Sequence, residues 1–268
     1  MERLVGLGWD GAVAVLTLQR PDMRNAFSAA LLRALREALH DPALDEAGAL
    51  VVTGAGGTFC AGGDVSEMGA AVAGDTDAVM GPMVTDLHQI IARLRSIPVP
   101  VVAAVNGPAI GAGMGLALAA DLRVVGRSAV LVPGYLAVGA SPDAGVSYFL
   151  TRALGGARAL SALLLNRPFD TDALAQAGLV EEVVDDHDVL SAAVTLAQRV
   201  AGTSAASLLA ARRLIDRAPT HELVDHLNAE EAEFRRVWVG SDFKEGVTAF
   251  LERRKPVFGV APSTPAEV

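Results

Sequence analysis

Two glycine-rich loops are the segments of this sequence whose residue types fit a chemical role. The first, GAGGTFCAGGD, spans residues 54–64, and the second, NGPAIGAG, spans residues 106–113. Small residues let a ligand approach the backbone closely, and amides at a helix start lack partners and carry the positive end of the helix dipole. Two such loops facing each other would form an oxyanion hole with two N–H donors. The same glycines also fit a purely structural role in tight packing between layers.

Searches for other motifs are negative. The glycine cluster at 111–115 lacks the last glycine of a dinucleotide fingerprint, because residue 116 is Leu116. Neither loop continues into the Gly-Lys-Ser/Thr of a P-loop, and the G-x-S-x-G motif is missing from the sequence. His221 and His226 are five residues apart, which places them on different faces of a helix, so we do not expect them to bind one zinc ion together. Cys60 is interpreted as a small buried residue.

The elements that position these loops follow from the apolar pattern. We predict strands at residues 12–18, 49–53, 99–105 and 122–125, and helices at residues 28–40, 77–95 and 114–120. Strands that are apolar throughout fit a parallel sheet covered on both faces, so the sequence predicts an α/β fold. From about residue 189 the chain is predicted to be almost entirely helical. We therefore divide it into a core over residues 1–200 and a C-terminal helical region over residues 201–268.

Composition excludes several functional classes. Of the 268 residues, 51% are hydrophobic and 4% are aromatic, which argues against disorder and against a surface that stacks nucleic-acid bases. The net charge of −9 indicates no dominant basic face, so we expect no nucleic-acid partner. The most apolar stretch, residues 98–120, is interrupted by Asn106, Pro108 and glycines, and the first residues lack a long apolar segment. With one cysteine, the sequence predicts a cytoplasmic protein that does not enter the membrane.

Six motifs, taken in order, resemble the crotonase superfamily of enoyl-CoA hydratases and isomerases. They cover nearly the whole chain and are LQRPDMRNAFS (18–28), TFCAGGDVSEM (58–68), PVVAAVNGPAIGAGMGLALAADLRV (100–124), SPDAGVSYFL (141–150), AQAGLVEEVV (175–184) and DFKEGVTAFLERRKPVF (242–258). The pattern is most similar to that of the 1,2-epoxyphenylacetyl-CoA isomerase branch. The resemblance implies a ClpP-like spiral of ββα units with a C-terminal helical trimerisation region, and a homotrimer or a dimer of trimers.

The same resemblance implies roles for individual residues. The substrate is expected to be an acyl-coenzyme A thioester, and the backbone amides of Gly63 and Ala112 are expected to form the oxyanion hole. We expect no metal or redox cofactor, since the sequence has no cluster of metal-ligand residues. Arg24 is expected near a phosphate, and Lys255 at a phosphate of a neighbouring subunit's ligand. The other residues expected to contact coenzyme A or the acyl group are Ala26, Ala61, Gly62, Asp64, Val65, His88, Gly115, Tyr135 and Pro142.

The carboxylates present favour isomerisation over hydration. Hydration of a double bond is assisted by two carboxylates. In the hydratase branch these occupy positions that are Gly115 and Tyr135 here, so the resemblance disfavours ordinary enoyl-CoA hydration. Asp143 remains, and one carboxylate is sufficient to move a proton between two carbons of the substrate. From the residues alone, Asp143 also fits an N-cap of the helix predicted from residue 144 to residue 154.

Three other functions stay open at this point. An enzyme similar to 4-chlorobenzoyl-CoA dehalogenases would use Asp143 as a nucleophile, with His88 on the preceding helix and Tyr135 at the position of a tryptophan. A thioesterase would use Asp143 to activate water. A protein that has lost the hydratase acids would bind acyl-CoA without turnover. Candidates for the acyl pocket are Met68, Met83, Leu87, Tyr135, Val138 and Val146.

Overall fold

A computed structural model describes residues 3–259, and the chain separates into two compact units between Arg199 and Val200. The strands of the first unit are β1 (Val5–Asp10), β2 (Val13–Leu18), β3 (Ala49–Gly54), β4 (Val101–Val105), β5 (Ala109–Ile110), β6 (Leu122–Gly126), β7 (Leu131–Val132) and β8 (Glu182–Val184). Six of them form a sheet in the order β1-β2-β3-β4-β6-β8, while β5 pairs with β7. The β1–β2 pair is antiparallel, and the other pairs are parallel.

Helices alternate with these strands and confirm the predicted α/β class. They are α1 (Ala29–Leu39), α2 (Val65–Val72), α3 (Thr76–Ser96), α4 (Ala112–Ala119), α5 (Val146–Leu154), α6 (Gly156–Leu164), α7 (Thr171–Gln176) and α8 (Val189–Val200). The second unit is helical, as predicted, and contains α9 (Ala205–Arg217), α10 (Leu223–Trp238) and α11 (Ser241–Glu252). Within residues 3–259, no helix combines the length and the apolar character needed to cross a membrane.

Both faces of the central sheet are covered, as the apolar strands predict. Every residue of β3 and β4 is buried. Alternate residues of a strand point to opposite faces, so Leu50 and Val52 join one apolar cluster while Ala49 and Val51 join another. The first cluster includes the buried sides of α1, α3 and α4, and the second includes residues of α8. A sheet buried on both sides holds its strand ends rigidly, which matters for the loops that leave them.

Local signals account for the helices that the sequence predicts well. Ser28 caps α1, and its side chain accepts a hydrogen bond from the Leu31 amide at 3.1 Å. Asp75 caps α3 in the same way. Helix α4 is buried at every position, which agrees with its lack of any polar side chain. It begins at Ala112, two residues before the predicted start. The glycines at 113 and 115 obscure this start in the sequence.

Several elements escape prediction because they are short or lie at an edge. Strand β1 contains two glycines and has an exposed half, so it lacks the apolar run that marks the central strands. Strands β5 and β7 are two residues long each. Helix α2 directly follows the first glycine loop and has one buried residue, so it has no apolar stripe.

Candidate active site

The two glycine loops run side by side because they leave the same edge of the sheet. Strands β3 and β4 are parallel neighbours, and each loop follows the carboxyl end of one of them. The Cys60 amide donates to the Pro108 carbonyl at 3.2 Å, and the Ile110 amide donates to the Cys60 carbonyl at 2.9 Å. A β-carbon on Gly62 would lie 2.6 Å from the Ile110 oxygen, and Gly62 has a φ of +86°. Glycine is therefore required here for the two backbones to touch.

Two asparagines hold the first loop in shape. Asn25 is fully buried, and its Nδ2 donates to the carbonyls of Ala55 at 2.9 Å and Thr58 at 2.8 Å. Asn106, from the second loop, donates to the carbonyl of Gly54 at 2.7 Å. Neither asparagine is predicted from the sequence pattern as a functional residue. An asparagine near a glycine loop in the sequence is the signal that could have identified them. Loop carbonyls that are removed from water need hydrogen-bond donors, and a buried asparagine amide supplies them.

The two expected oxyanion-hole amides lie on these adjacent loops. Ala112 is the first residue of α4, where amides have no partner within the helix. Gly63 pairs with Phe27 in an isolated parallel bridge, which uses the amide of Asp64 rather than that of Gly63. In the hydrogen bonds of residues 3–259, neither the Gly63 amide nor the Ala112 amide is a donor. A β-carbon on Gly62, the chain neighbour of Gly63, would be 3.7 Å from the Ala112 nitrogen, so the segment that carries Gly63 lies against the start of α4.

Asp143 is bound by a tyrosine. The Tyr135 hydroxyl donates to Asp143 Oδ1 at 2.7 Å and lies 3.2 Å from the Asp143 carbonyl oxygen. Tyr135 is 8% exposed. Its burial, together with the negative charge of Asp143, raises the pKa of the phenol well above its ordinary value, so the hydroxyl stays protonated at neutral pH. A β-carbon on Gly111 would lie 3.8 Å from Tyr135 Cζ, which places the ring at the start of α4.

The backbone of the Asp143 turn fills the position of a missing carboxylate. Ala144 has a φ of +48° and Gly145 a φ of +75°, and this tight left-handed turn is fully buried at Ala144. A β-carbon on Gly115 would lie 2.5 Å from both the Ala144 β-carbon and the Ala144 carbonyl oxygen. Gly115 is thus in contact with the turn, and no side chain fits there. Asp143 consequently lies against the first turns of α4.

The alternative in which Asp143 caps the next helix is wrong. Helix α5 begins at Val146, and Gly145 is its N-cap, with no side chain accepting from the helix amides. The Val146 amide donates to the backbone carbonyl of Asp143 at 3.0 Å, not to its carboxylate. The left-handed turn moves the helix start two residues beyond the predicted one. The Asp143 side chain is therefore directed to Tyr135 instead.

Asp64 does not fit its predicted role as a ligand contact. Its carboxylate is 2% exposed, lies 2.5 Å from Arg20 Nη1, and caps α2 by accepting from the amides of Ser66 and Glu67. Burial acts to raise the pKa of Asp64, but hydrogen bonds from Ser66 and Arg20 outweigh it and lower the pKa to about 2. The side chain is thus used inside the protein. Arg20, which the sequence analysis missed, lies 44 residues away in the chain and meets Asp64 only in the folded state.

The expected coenzyme A residues are partly brought together. Arg24 is exposed, and its backbone carbonyl accepts from the Ala61 amide at 3.0 Å. Ala26 is buried, and its carbonyl accepts from Arg20 Nη1 at 3.1 Å. Among residues 3–259, the Arg24 guanidinium has no hydrogen-bond or ion-pair partner. A free cation thus stands beside the first glycine loop.

The remaining expected residues lie at exposed or half-buried positions. Val65 is 71% exposed at the start of α2, and Pro142 is half-buried beside Asp143. His88 is exposed on α3, whose buried side carries Leu87 and Ile91 instead, and its contact with the substrate stays a prediction. Lys255 is exposed and belongs to the second unit.

The pocket candidate Met68 and the cysteine Cys60 have defined surroundings. The end of the Met68 side chain reaches the α-carbon of Gly63, so that a β-carbon there would overlap the Met68 methyl group. Cys60 is fully buried and donates to the Asn25 carbonyl, and burial raises the pKa of its thiol to about 12. This confirms that Cys60 is a small buried residue rather than a nucleophile.

Comparison with known proteins gives a consistent result. The sequence profile described as enoyl-CoA hydratase/isomerase matches residues 8–260. A probable enoyl-CoA hydratase of Rhodobacter capsulatus is 37% identical over 246 residues, covering 92% of this chain and 94% of that protein. The 1,2-epoxyphenylacetyl-CoA isomerase of Escherichia coli is 34% identical over 247 residues, covering 92% and 94%.

Solved structures show the same relationship. The crystal structure of an enoyl-CoA hydratase from Polaromonas has a TM-score of 0.87 and 34% identity, covering 95% of this chain and 99% of that one. A putative enoyl-CoA hydratase from Streptomyces coelicolor has a TM-score of 0.86 and 32% identity, covering 96% and 94%. The predicted crotonase fold is thereby confirmed. This chain belongs to the enoyl-CoA hydratase/isomerase family of acyl-CoA enzymes.

Proposed function

We propose that this protein is an acyl-CoA isomerase that moves a carbon–carbon double bond through a thioester enolate. The observation that carries the proposal is the Asp143 carboxylate, which Tyr135 holds beside α4. Asp143 lies there, while the two positions expected to hold hydratase acids are Gly115 and Tyr135. Hydration is helped by one group that activates water and another that handles the α-proton, whereas isomerisation needs one group that takes and returns a proton.

The Asp143 carboxylate would take a proton from C2 of a 3-enoyl thioester. The electron pair of the broken C–H bond moves toward the thioester carbonyl, whose oxygen becomes negatively charged. The same carboxyl group then returns the proton to C4, and the double bond ends between C2 and C3. No atom is gained or lost by the substrate, and no second acid is required. Asp143 is half-buried, so part of its side chain stays open to a ligand.

The amides of Gly63 and Ala112 would hold the enolate oxygen. Both are free of protein acceptors within the described residues, and Ala112 adds the positive end of the α4 dipole. Such donors act on charge that develops in the transition state, and removing one costs about 3–4 kcal/mol. Their position on loops tied to a doubly covered sheet supports this role, since fixed donors need no reorganisation during the reaction.

Coenzyme A would lie along the first loop. Arg24 would bind a phosphate, while Ala26, Ala61, Gly62 and Val65 would flank the rest of the cofactor moiety. Lys255 would reach the ligand of a neighbouring subunit. The exposed Arg24 guanidinium supports this arrangement, because a free arginine beside a loop fits a phosphate bidentately. A cytoplasmic homotrimer or dimer of trimers, acting without a metal or redox cofactor, belongs to the same proposal.

Incubation with a 3-enoyl-CoA in D2O tests the proposed function. Mass spectrometry and NMR of the product should show migration of the double bond without the mass of an added water, and deuterium wherever the proton on Asp143 has exchanged. Gain of water would identify a hydratase, and release of free coenzyme A a thioesterase. Tight binding with no change in straight-chain or ring-bearing thioesters would identify an acyl-CoA binder and contradict the isomerase.

A further inference from the structure

We propose that Tyr135 determines reaction specificity by keeping water off Asp143, so that the carboxylate moves substrate protons instead of activating water. This inference rests on the proposed function, in which Asp143 is the base. It starts from one contact, the hydrogen bond of 2.7 Å from the Tyr135 hydroxyl to Asp143 Oδ1.

Tyr135 is the one group within the described residues that donates a hydrogen bond to the Asp143 carboxylate. Among residues 3–259, no other side chain and no backbone amide donates to Oδ1 or Oδ2 of Asp143. A carboxylate oxygen without a protein donor recruits water, because leaving a charged acceptor unsatisfied is costly. The phenol therefore occupies the place that a water molecule would take on Oδ1, and Oδ2 is left for the substrate.

The tyrosine is fixed, so water cannot easily replace it. Its side chain is almost fully buried, and its ring lies against the start of α4 at Gly111. Burial also keeps the phenol protonated, so the group remains a donor to the carboxylate throughout the neutral pH range. A neutral hydroxyl held by an apolar ring blocks Oδ1 without adding a second charge to the site.

Because the space beside Gly115 is closed, the contact between Tyr135 and Asp143 determines whether water can react. The Ala144 backbone fills the space beside Gly115, and the other expected acid position is Tyr135 itself, so neither of these two positions holds a carboxylate that could activate water independently of Asp143. Any water that attacks the substrate would have to be held by Asp143 itself. The groups that hydrogen-bond to the Asp143 carboxylate therefore decide whether water is added to the substrate.

Removing the Tyr135 hydroxyl should therefore open a hydration route. In the Y135F variant, water would bind Asp143 Oδ1, and its oxygen would form a bond to C3 of a 2-enoyl thioester while its proton passes to the carboxylate. The electrons of the C2–C3 double bond would move to the thioester oxygen, and the proton would then be delivered to C2. The product is the 3-hydroxyacyl-CoA, which equals the substrate plus one water.

The test measures product partition in H2(18)O with 3-enoyl-CoA and 2-enoyl-CoA. We expect the ratio of 18O-labelled 3-hydroxyacyl-CoA to isomerised product to rise about tenfold in Y135F, which is the size of effect for one hydrogen bond to a charged group. Tyr148→Phe is the matched control, because Tyr148 is the other tyrosine of the chain and is 44% exposed on α5. An unchanged ratio in Y135F would overturn the proposal. If Y135F does not fold, the Raman measurement on the Tyr148→Phe protein tests the contact instead.

A spectroscopic readout keeps this test separate from the proposed function. In the Tyr148→Phe protein Tyr135 is the single tyrosine, so the Fermi doublet in its Raman spectrum reports the phenol alone. We expect the intensity ratio of a strong hydrogen-bond donor, and a shift toward that of a weaker donor on adding Asp143→Leu, since the backbone carbonyl of residue 143 at 3.2 Å remains as an acceptor. A non-donating phenol in the Tyr148→Phe protein would refute the role of Tyr135. If the wild-type protein fails to isomerise, the proposed function is refuted. The water-excluding contact would still be supported if Y135F forms labelled 3-hydroxyacyl-CoA and the Tyr148→Phe variant does not.

Discussion

Ala144 and Gly115 are in direct backbone contact, so closely that a β-carbon on Gly115 would lie 2.5 Å from the carbonyl oxygen of Ala144. The buried left-handed turn at Ala144 is what brings the two together. This contact fixes the turn that carries Asp143 against the first turns of α4. Residue 115 therefore lacks both a hydratase carboxylate and the space for one, because the Ala144 backbone occupies that space.

Gly115→Ala should destabilise the protein by about 2 kcal/mol, the usual cost of forcing a methyl group into a filled core. It should also lower turnover by displacing the Asp143 turn. Urea unfolding and the isomerase assay measure the two effects. Gly69→Ala is the matched control, since Gly69 lies in α2 with no atom within 4 Å of its would-be β-carbon. A Gly115→Ala protein as stable and active as wild type would show that the turn yields easily.

Asp143→Asn should reduce kcat by about a hundredfold or more, the typical contribution of a positioned acid–base group. The amide oxygen still accepts from Tyr135, so the local geometry is kept. Coenzyme A affinity, measured by calorimetry, should stay near the wild-type value. Asp172→Asn, which changes an exposed aspartate on α7, serves as the control. Full activity in Asp143→Asn would rule out this residue as the base.

Ala112→Pro should remove one donor of the proposed oxyanion hole without removing the helix. Proline is tolerated at the first helical position, where its missing N–H has no partner in any case. We expect kcat/KM to fall about 100- to 1000-fold, which is the effect of losing one such donor. A urea midpoint close to that of wild type is needed to show that the helix is intact. Undiminished turnover in a folded variant would place the oxyanion elsewhere.

Arg24→Ala should weaken binding of acyl-coenzyme A about tenfold through loss of one phosphate contact. The effect should shrink at high salt, because exposed charges are screened. An acyl-pantetheine thioester, which lacks the nucleotide phosphates, should bind wild type and variant equally. Arg33→Ala, at an exposed position of α1, is the comparison. Equal loss of affinity for both thioesters would indicate a role in folding rather than in phosphate binding.

Asp64→Asn should cost about 2 kcal/mol of folding stability at pH 7. The folded pKa of Asp64 is lowered from 3.8 to about 2, because hydrogen bonds from Ser66 and Arg20 outweigh burial. A lowered pKa stabilises the fold above the unfolded pKa and loses that effect as the pH falls through the folded one. The difference between variant and wild type should thus be about half as large at pH 3, as measured by urea unfolding.

A matched variant isolates the charge of Asp64 from its capping role. Asp170 also caps a helix, and its carboxylate accepts from the Ala173 amide at 2.9 Å, but it is exposed and forms no ion pair with the described residues 3–259. Asn is as good an N-cap as Asp, so Asp170→Asn should leave stability within about 0.5 kcal/mol. A pH-independent cost of Asp64→Asn would show that its packing matters more than its charge.

The fold class, the central strands and the two loops follow from the amino-acid sequence alone. Apolar runs such as β3 and β4 carry their own signal, because a strand covered on both faces must be apolar throughout. The short strands β5 and β7 and the edge strand β1 could not be predicted, since two residues or two glycines leave no periodicity. The order of the six motifs likewise indicates the family, because each motif is a continuous run of residues that needs no tertiary contact to be recognised.

The contacts of the site residues, by contrast, depend on how the chain folds back on itself. Folding turns Asp143 away from the helix it was expected to cap and toward Tyr135, and it uses Asp64 internally through Arg20. Sequence patterns report the environment along one element. These contacts join residues 8 and 44 positions apart, and their geometry depends on turns whose backbone angles, as at Ala144, are set by packing against another element.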